Sequence, residues 1–355
     1  MKTVQQTSPT HIHVRKAHGA LNDVVVIDGA PEAHGFYNHE AVSAFVQALS
    51  DRANSLGGAD GVYFVDRSSE LPIAKYYNSD GTAAEYCGNG LRCVGRYLLE
   101  ATGEKQATVI SGGTTFEVSR LPAADHGTHN ISVRALDGLA VKPNAAQLSI
   151  DRVDLNFTLV LAPNPHLVAV VGLPEARLGV DDLLLTAAQK VRRQPSFAAG
   201  VNVSLAVCHS HGDTPSWIIR TDERGVGLTS SCASGAVAAV ATLVTLGYEQ
   251  LDREVIMRNV GGPIAVCVEE RDGALFPTQS GNATWVLDST VSVANPSVAN
   301  SPTYHLTFGN FTTFDDELSS AKSLYWNNAS YLREVGVEVK EEEFQARANP
   351  RGVAG

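Results

Sequence analysis

Two cysteines of this chain, Cys87 and Cys232, stand where helices are predicted to begin. After each of them, small residues lead into apolar residues with the spacing of one buried helical face. At a helix N-terminus, unpaired backbone N–H groups and the helix dipole favour negative charge. We therefore expect thiols with lowered pKa values, beside N–H groups that can hold a carboxylate. Those N–H groups belong to Gly88, Asn89, Ala233 and Ser234.

The two cysteines occupy equivalent positions of an internal repeat. A β-rich run precedes each one, and a polar residue, Asn78 or Glu223, stands nine positions before it. Asn22 precedes the first cysteine by 65 residues, and Asn164 precedes the second by 68. Asn22 also follows a glycine closely and is predicted to lie in a turn. Because these residues recur at nearly the same distances before the two cysteines, the sequence predicts two copies of one structural unit.

The repeat predicts an α/β fold of the α+β type, with two pseudo-symmetric lobes. In each lobe a mainly antiparallel sheet wraps around one central helix, and the two helix N-termini face each other across a cleft. The N-terminal lobe takes residues 1–138, with 281–294 as a strand that returns to it. The C-terminal lobe takes residues 139–280, and we call residues 295–355 the tail.

The tail has no counterpart in the repeat. Its sequence predicts a linker over Asn295–Pro302, a strand within Leu306–Phe314 and a short helix over Asp316–Trp326. The charged residues 340–343 are predicted to form a solvated face. Its role stays open between covering the cleft, supporting a homodimer and being partly disordered at its end.

Composition limits the classes of partner. The net charge of −11 over 355 residues argues against binding nucleic acid or an anionic membrane, and leaves a small-molecule substrate. Residues 1–11 are polar and no run of eighteen apolar residues occurs, so we expect a cytoplasmic protein. The five cysteines are scattered and lack C-x-x-C spacing, which predicts neither disulfides nor a metal site. Cys93, Cys208 and Cys267 are interpreted as small buried apolar residues.

Seven motifs together resemble the diaminopimelate epimerase family, whose members are amino-acid epimerases that work without pyridoxal phosphate. The resemblance extends over residues 12–294. The motifs are Lys16–Asp23, Asn78–Thr82, Cys87–Cys93, Asn164–His166, Val201–Asn202, Glu223–Gly225 and Cys232–Gly235. The resemblance implies a two-base reaction without a cofactor, in which one cysteine removes the proton of Cα as thiolate and the other returns a proton to the opposite face.

The resemblance also implies roles for further residues. His166 is expected to partner Cys87, and Glu223 to partner Cys232. By residue type, Arg224 can bind a distal carboxylate and Glu223 a distal ammonium group. The side-chain amides implied in substrate binding are those of Asn22, Asn78, Asn164 and Asn202.

Three hypotheses remain open. The chain is a diaminopimelate epimerase, a related racemase of another amino acid such as histidine or a diamino acid, or a non-enzymatic amino-acid-binding or thiol-redox protein. Departures from the family pattern keep the second hypothesis open: Leu228 stands where glutamate is common, Ala233 where glycine is usual, and Gly61 where some members have glutamine. The pair of cysteines argues against the third hypothesis. An amino-acid-binding protein does not need a cysteine on each side of its ligand, and the cysteines of a redox pair more usually have C-x-x-C spacing.

Overall fold

The computed structural model describes residues 10–54, 56–122, 129–172, 179–211, 214–294 and 304–334, together with 337, 339, 342 and 344. Residues 295–302, predicted as a linker, lie outside this part, as do 340, 341 and 343 of the predicted charged face; Glu342 is exposed. The α-helices are α1 (His39–Ser50), α2 (Gly88–Thr102), α3 (Val180–Arg192), α4 (Ala233–Thr245) and α5 (Asp315–Glu334). Two short 3-10 helices cover Pro31–His34 and Pro195–Phe197. Within the described chain, no helix is long and apolar enough to cross a membrane.

Strands make up most of the remaining structure, and the predicted α/β fold with mainly antiparallel sheets is confirmed. The strands β9 and β17 were not predicted. In chain order the strands are β1 (Thr10–Gly19), β2 (Asn22–Asp28), β3 (Gly61–Asp66), β4 (Ile73–Asn78), β5 (Ala83–Ala84), β6 (Gln106–Ser111), β7 (Thr114–Arg120), β8 (Asn130–Ala135), β9 (Ala140–Ile150), β10 (Val153–Ala162), β11 (Asn164–Gly172), β12 (Asn202–His211), β13 (Thr214–Glu223), β14 (Gly227–Leu228), β15 (Val255–Asn259), β16 (Gly262–Arg271), β17 (Ala274–Asn282), β18 (Thr284–Ala294), β19 (His305–Phe308) and β20 (Thr312–Thr313).

Strand pairing follows the same order in both copies of the repeat. In the first copy, β1 pairs with β2 antiparallel, β2 with β3 parallel, β3 with β4 antiparallel and β4 with β6 parallel. In the second, β10 pairs with β11, β11 with β12, β12 with β13 and β13 with β15 in the same alternation. This order confirms the pseudo-symmetric lobes. The exact lobe boundaries remain our proposal.

One strand that is late in the chain returns to the N-terminal lobe. β18, late in the chain, pairs with β1 along most of its length, whereas β9 pairs with β10 of the second copy. β8 and β17 pair with each other, so that the sheets of the two lobes are continuous. Hydrogen bonds across this junction hold the two central helices, α2 and α4, in fixed relation to each other.

Both central helices are largely buried, and α4 carries small and apolar residues on nearly every side. In α4, each residue from Ala233 to Leu243 is buried. In α2, Gly95 allows the helix to approach the sheet closely, since a Cβ there would lie 3.1 Å from Ile131 and Val118. Gly103 ends α2 in a left-handed conformation, as predicted.

Asn22 does not lie in the turn that the sequence predicts. The turn residues are Ala20 and Leu21, with φ of 50° and 60°, and β2 already begins at Asn22. Both turn residues having positive φ is the geometry of a two-residue hairpin of type I′. This geometry places the Asn22 side chain at the strand end, next to the cleft.

The tail forms two short strands and a helix longer than predicted. β19 and β20 both pair with β18, and α5 runs on to Glu334. Glu317 of α5 forms an ion pair with Arg96 of α2. At the other lobe, the Asn328 Nδ2 atom donates to the Asn259 carbonyl oxygen at 2.7 Å. None of the described tail residues lines the cleft, so this part of the tail does not cover it.

Candidate active site

A cavity of about 300 Å³ opens between the N-termini of α2 and α4. This volume suits a small ligand. With the exception of His166, the residues predicted for the site all line the cavity. They are Asn22, Asn78, Cys87, Gly88, Asn89, Asn164, Asn202, Glu223, Arg224, Cys232, Ala233 and Ser234.

Each predicted cysteine is the N-cap residue of its helix. The Cys87 Sγ atom accepts from the Gly90 N–H at 3.4 Å, and the Cys232 Sγ atom accepts from the Gly235 N–H at 3.3 Å. Both cysteines have extended backbones, which lets the side chain turn back onto the first helical turn. The two helices therefore present a sulfur atom and free N–H groups to the same cavity.

The two helix N-termini touch each other. A Cβ atom on Gly88 would lie only 2.8 Å from the Cβ of Ala233, so glycine is needed at position 88. Ala233 is the first residue of α4 and is not among the described residues with positive φ. Its backbone therefore accepts a Cβ atom without strain, and it keeps its N–H group as a donor.

The expectation that Cys87 has a lowered pKa is wrong. Burial raises the pKa of the Cys87 thiol to about 12, while the Gly90 N–H lowers it by a smaller amount. The protonated thiol donates to the Asn22 Oδ1 atom at 3.1 Å. Desolvation of the buried thiol therefore outweighs the effect of the helix N-terminus.

Cys232 lies in a similar environment, closer to a carboxylate. Burial raises the pKa of its thiol well above the usual range, and the charge of Glu223 raises it further. The Ser234 Oγ atom lies 3.4 Å from the Cys232 sulfur and opposes this increase. Both cysteines are therefore thiols at neutral pH, and a thiolate needs a proton acceptor nearby.

Glu223 can be that acceptor. Its carboxylate accepts a hydrogen bond from the Thr229 hydroxyl at 2.6 Å. Burial raises the pKa of Glu223, and hydrogen bonds with Thr229 and Cys232 lower it. A carboxylate of raised basicity in hydrogen-bonding contact with a thiol is suited to exchange a proton with it.

Known proteins resemble this chain in sequence. Residues 14–121 match the family described as Diaminopimelate epimerase. A relative named diaminopimelate epimerase, from Listeria monocytogenes serotype 4a (strain HCC23), is 31% identical over 80% of this chain and 89% of its own length. This chain belongs to the diaminopimelate epimerase family. Accordingly it is an isomerase of the epimerase type.

Solved structures with the same fold are more distant in sequence. A Bacillus anthracis phenazine biosynthesis protein of the PhzF family matches with a TM-score of 0.59 and 14% identity, covering 79% of this chain and 99% of that one. A hydroxyproline epimerase from Agrobacterium vitis, solved with bound trans-4-hydroxy-L-proline, matches with a TM-score of 0.58 and 16% identity, covering 81% of this chain and 94% of that one. At these identities the likeness shows a shared fold.

His166 does not make the contact with Cys87 that family membership implied. Its Nε2 atom lies 3.0 Å from the Ser234 Oγ atom and 3.2 Å from the Asn202 Nδ2 atom. It is fully buried behind Ser234, and burial lowers its pKa to about 3. Neutral His166 therefore positions Ser234 on the Cys232 side of the cavity.

The other predicted residues form the rim and the far end of the cavity. The Asn202 Oδ1 atom accepts from the Arg224 backbone N–H at 2.8 Å, which fixes the start of that loop. The Arg224 side chain is 42% exposed, and its guanidinium lies 3.9 Å from the Glu85 carboxylate. At this distance and in contact with solvent, the ion pair is weak. The guanidinium can therefore bind an anion.

Several residues that line the cavity were not predicted from the sequence, and Glu85, Asp60 and Tyr76 are among them. Glu85 lies two positions before Cys87, and Asp60 stands in the glycine-rich turn before β3. Tyr76 of β4 explains why position 61 is glycine in this chain, since a Cβ on Gly61 would overlap the Tyr76 hydroxyl. In the sequence, the feature that could have predicted glycine at position 61 was the tyrosine at an inward position of the next strand.

Proposed function

We propose that the chain is a pyridoxal-independent epimerase that interconverts LL- and meso-diaminopimelate, for lysine and peptidoglycan synthesis. Cys87 and Cys232 are the two acid–base groups of this proposal. The observation that carries it is that both cysteines cap helices whose N-termini meet in one cavity. A binding site has no need of a thiol at each of two opposed helix termini.

The helix termini supply the stabilisation that the reaction needs. Removing the proton from Cα leaves an electron pair that delocalises into the substrate carboxylate. Free N–H groups of two helices can donate hydrogen bonds to that carboxylate. These hydrogen bonds become stronger as the negative charge on the carboxylate grows. The proposed donors are the backbone groups of Gly88, Asn89, Ala233 and Ser234.

Glu223 generates the first thiolate in this proposal. It accepts the proton of Cys232, whose sulfur then removes the Cα proton of one epimer. Cys87, held as a thiol by Asn22, gives its proton to the opposite face of Cα. The reaction leaves Cys87 as thiolate and Cys232 as thiol, and proton exchange with solvent restores the starting pair. The reverse direction uses the same groups in exchanged roles.

Arg224 supports a substrate with a second charged head group. Arg224 lines the cavity, and its half-exposed guanidinium has only the distant Glu85 carboxylate as ion-pair partner among the described residues. A distal carboxylate would offer it a bidentate contact, and Glu85 or Glu223 could receive the distal ammonium group.

A racemase of another amino acid remains the second candidate. Val226 and Leu228 line the cavity close to Arg224, and Leu228 stands where the family commonly has glutamate. Apolar side chains at this end favour a less polar substrate side chain. The cytoplasmic location and a homodimeric assembly are further parts of our proposal, and both stay predictions from the sequence.

Proton exchange in D₂O, followed by NMR, tests the reaction and the substrate together. We expect LL-diaminopimelate to lose its Cα proton signal and to give the meso isomer without added cofactor. The same panel should include lysine, histidine and short diamino acids. Preferred turnover of one of these would establish the second candidate, and exchange with none of them would contradict the proposal.

A further inference from the structure

Arg92 lies directly beneath the N-terminus of α2 and is fully buried. Its Nε atom donates to the Asn282 carbonyl oxygen at 3.2 Å, and its Nη1 atom to the Gln279 Oε1 atom at 2.5 Å. Its Nη2 atom donates to the Asn89 Oδ1 atom at 2.8 Å. All three acceptors are neutral, so these bonds leave the positive charge without a counter-charge.

Arg96, one helical turn further along α2, is buried almost as deeply and differs in this respect. Glu100 and Glu317 both form ion pairs with Arg96. In the part of the chain that the structure describes, no carboxylate forms an ion pair with Arg92. Burial lowers the pKa of Arg92 to about 10, against the opposing effects of Cys93, Cys87 and Tyr86. An unpaired buried cation is costly, and retaining one favours a functional reason.

Arg92 also fixes two amides at the junction of the lobes. A guanidinium has donors and no acceptor, so the amide oxygens of Asn89 and Gln279 must face it. The Asn89 Nδ2 atom is then directed to the Ser231 carbonyl oxygen at 3.2 Å, just before Cys232. The Gln279 Nε2 atom donates to the Gly88 carbonyl oxygen at 3.0 Å. Arg92 therefore connects the two helix N-termini.

Close packing shows that the guanidinium position is specific. A Cβ atom on Gly19 would lie 2.8 Å from the Arg92 Nη2 atom and 2.9 Å from the Asn89 carbonyl oxygen. A Cβ on Gly281 would lie 3.3 Å from the Arg92 Cζ atom. Glycines of β1 and β17 thus make the space that the guanidinium occupies.

The charged groups around Cys87 oppose a thiolate, apart from Arg92. Burial raises the pKa of Cys87 most, and the Gly90 N–H lowers it. The carboxylates of Glu223 and Asp60 raise the pKa further, and Arg92 lowers it. Arg92 is thus the charged side chain that favours the thiolate over the thiol.

We propose that Arg92 is a positioning residue whose unpaired guanidinium holds the two helix N-termini together and balances the negative charge of the Cys87 thiolate. The charge-balancing part rests on the proposed function, because the thiolate forms in its reaction cycle. His18 is also buried, and Arg92 is one of the groups that lower its pKa. The neutral imidazole does not provide a counter-charge for Arg92. The cation is therefore kept unpaired until charge develops at the cysteine.

The test measures the alkylation rate of Cys87 in the full-length protein without substrate, by iodoacetamide and peptide mass spectrometry at fixed pH. Below the thiol pKa, the rate follows the thiolate fraction, and one pKa unit changes that fraction about tenfold. We expect Arg92→Met to slow the alkylation about threefold to tenfold, the lower figure allowing for the greater nucleophilicity of a more basic thiolate. Arg92→Lys keeps the charge and should stay close to the unmodified protein.

Arg96→Met is the matched control, since it removes a buried arginine of the same helix that already has counter-charges. Its alkylation rate should not change. Asn282→Asp covers the case in which Arg92→Met fails to fold. It introduces a carboxylate on the residue whose backbone carbonyl oxygen accepts from the Arg92 Nε atom, and its side-chain oxygens can accept from the Ala20 N–H and the Thr284 hydroxyl. It should slow alkylation as well.

Equal rates for the unmodified protein, Asn282→Asp and any folded Arg92→Met would overturn the proposal. If Arg92→Lys slowed the alkylation of Cys87 as much as Arg92→Met, Arg92 would act through packing alone. That result would overturn the charge-balancing part of the proposal. The readout needs no turnover. If no amino acid is epimerised but alkylation responds as stated, the proposed function fails and the role of Arg92 on the thiol stands.

Discussion

Replacing Glu223 with glutamine should change activity and thiol reactivity in opposite directions. The substitution keeps the shape of the side chain and removes both its negative charge and its ability to accept the Cys232 proton. The carboxylate raises the pKa values of Cys232 and Cys87, so its removal should increase both thiolate fractions. Catalysis nevertheless loses its proton acceptor, and the turnover number should fall.

The expected magnitudes follow from the two roles of this carboxylate. Loss of a general base typically costs about 10²- to 10⁴-fold in rate, or about 3 to 5 kcal/mol of transition-state stabilisation. Alkylation of Cys232 should become about threefold to tenfold faster, corresponding to a decrease of about one pKa unit. Turnover is measured by NMR in D₂O, and alkylation by peptide mass spectrometry at fixed pH.

Glu85→Gln provides the control for thiol reactivity. It makes the same substitution at the rim of the same cavity, and Glu85 is not among the groups that shift either cysteine pKa. Its alkylation rates should match those of the unmodified protein. Near-normal epimerisation by Glu223→Gln would refute the role as proton acceptor, and slower alkylation of Cys232 would refute the electrostatic reasoning.

Three further predictions concern the cysteines, the substrate and acid stability. Cys87→Ala and Cys232→Ala should each abolish interconversion in the NMR assay, whereas Cys267→Ala should retain it; residual turnover near normal in either of the first two would contradict the two-base reaction. Arg224→Met should lower kcat/KM for LL-diaminopimelate by about tenfold to a hundredfold, because a charged hydrogen bond is lost, and leave the slow turnover of lysine unchanged. His18 and His166 are buried with pKa values lowered to about 4 and about 3. The unfolded chain therefore binds their protons first as pH falls below about 6.5, and each histidine should remove about 1.4 kcal/mol of unfolding free energy per pH unit down to its folded pKa. Urea titrations at pH 7, 6 and 5 check this, and constant stability over that range would disprove it.

Local signals made the position of each cysteine predictable from the sequence. A cysteine that is followed by small residues and then by a helical apolar face indicates an N-cap, whatever the helix packs against. Both N-caps lie where they were predicted. The repeat then placed the second helix by analogy with the first. The unpredicted strand β9 was harder, because Ala140–Ile150 mixes polar and apolar residues without a clear alternation.

Properties that depend on packing could not be predicted in this way. The pKa of Cys87 follows from burial by both lobes, and a motif does not carry that information. The contact of His166 with Ser234 joins residues 68 positions apart, and local sequence did not distinguish it from a contact with Cys87. Tyr76 fills the space beside Gly61 from a neighbouring strand, and the sequence around Gly61 does not carry that pairing.

The tail makes hydrogen bonds with residues of both lobes behind the site. Glu317 holds Arg96 of α2, and Asn328 donates to the carbonyl oxygen of Asn259. The Asn259 side chain in turn accepts from the Cys232 backbone N–H at 3.3 Å. One helix of the tail is therefore bonded to the helix that begins at Cys87 and to the residue that orients Cys232. Because no described residue of α5 lines the cavity, the helix makes these contacts with both lobes without occupying the space between the two cysteines.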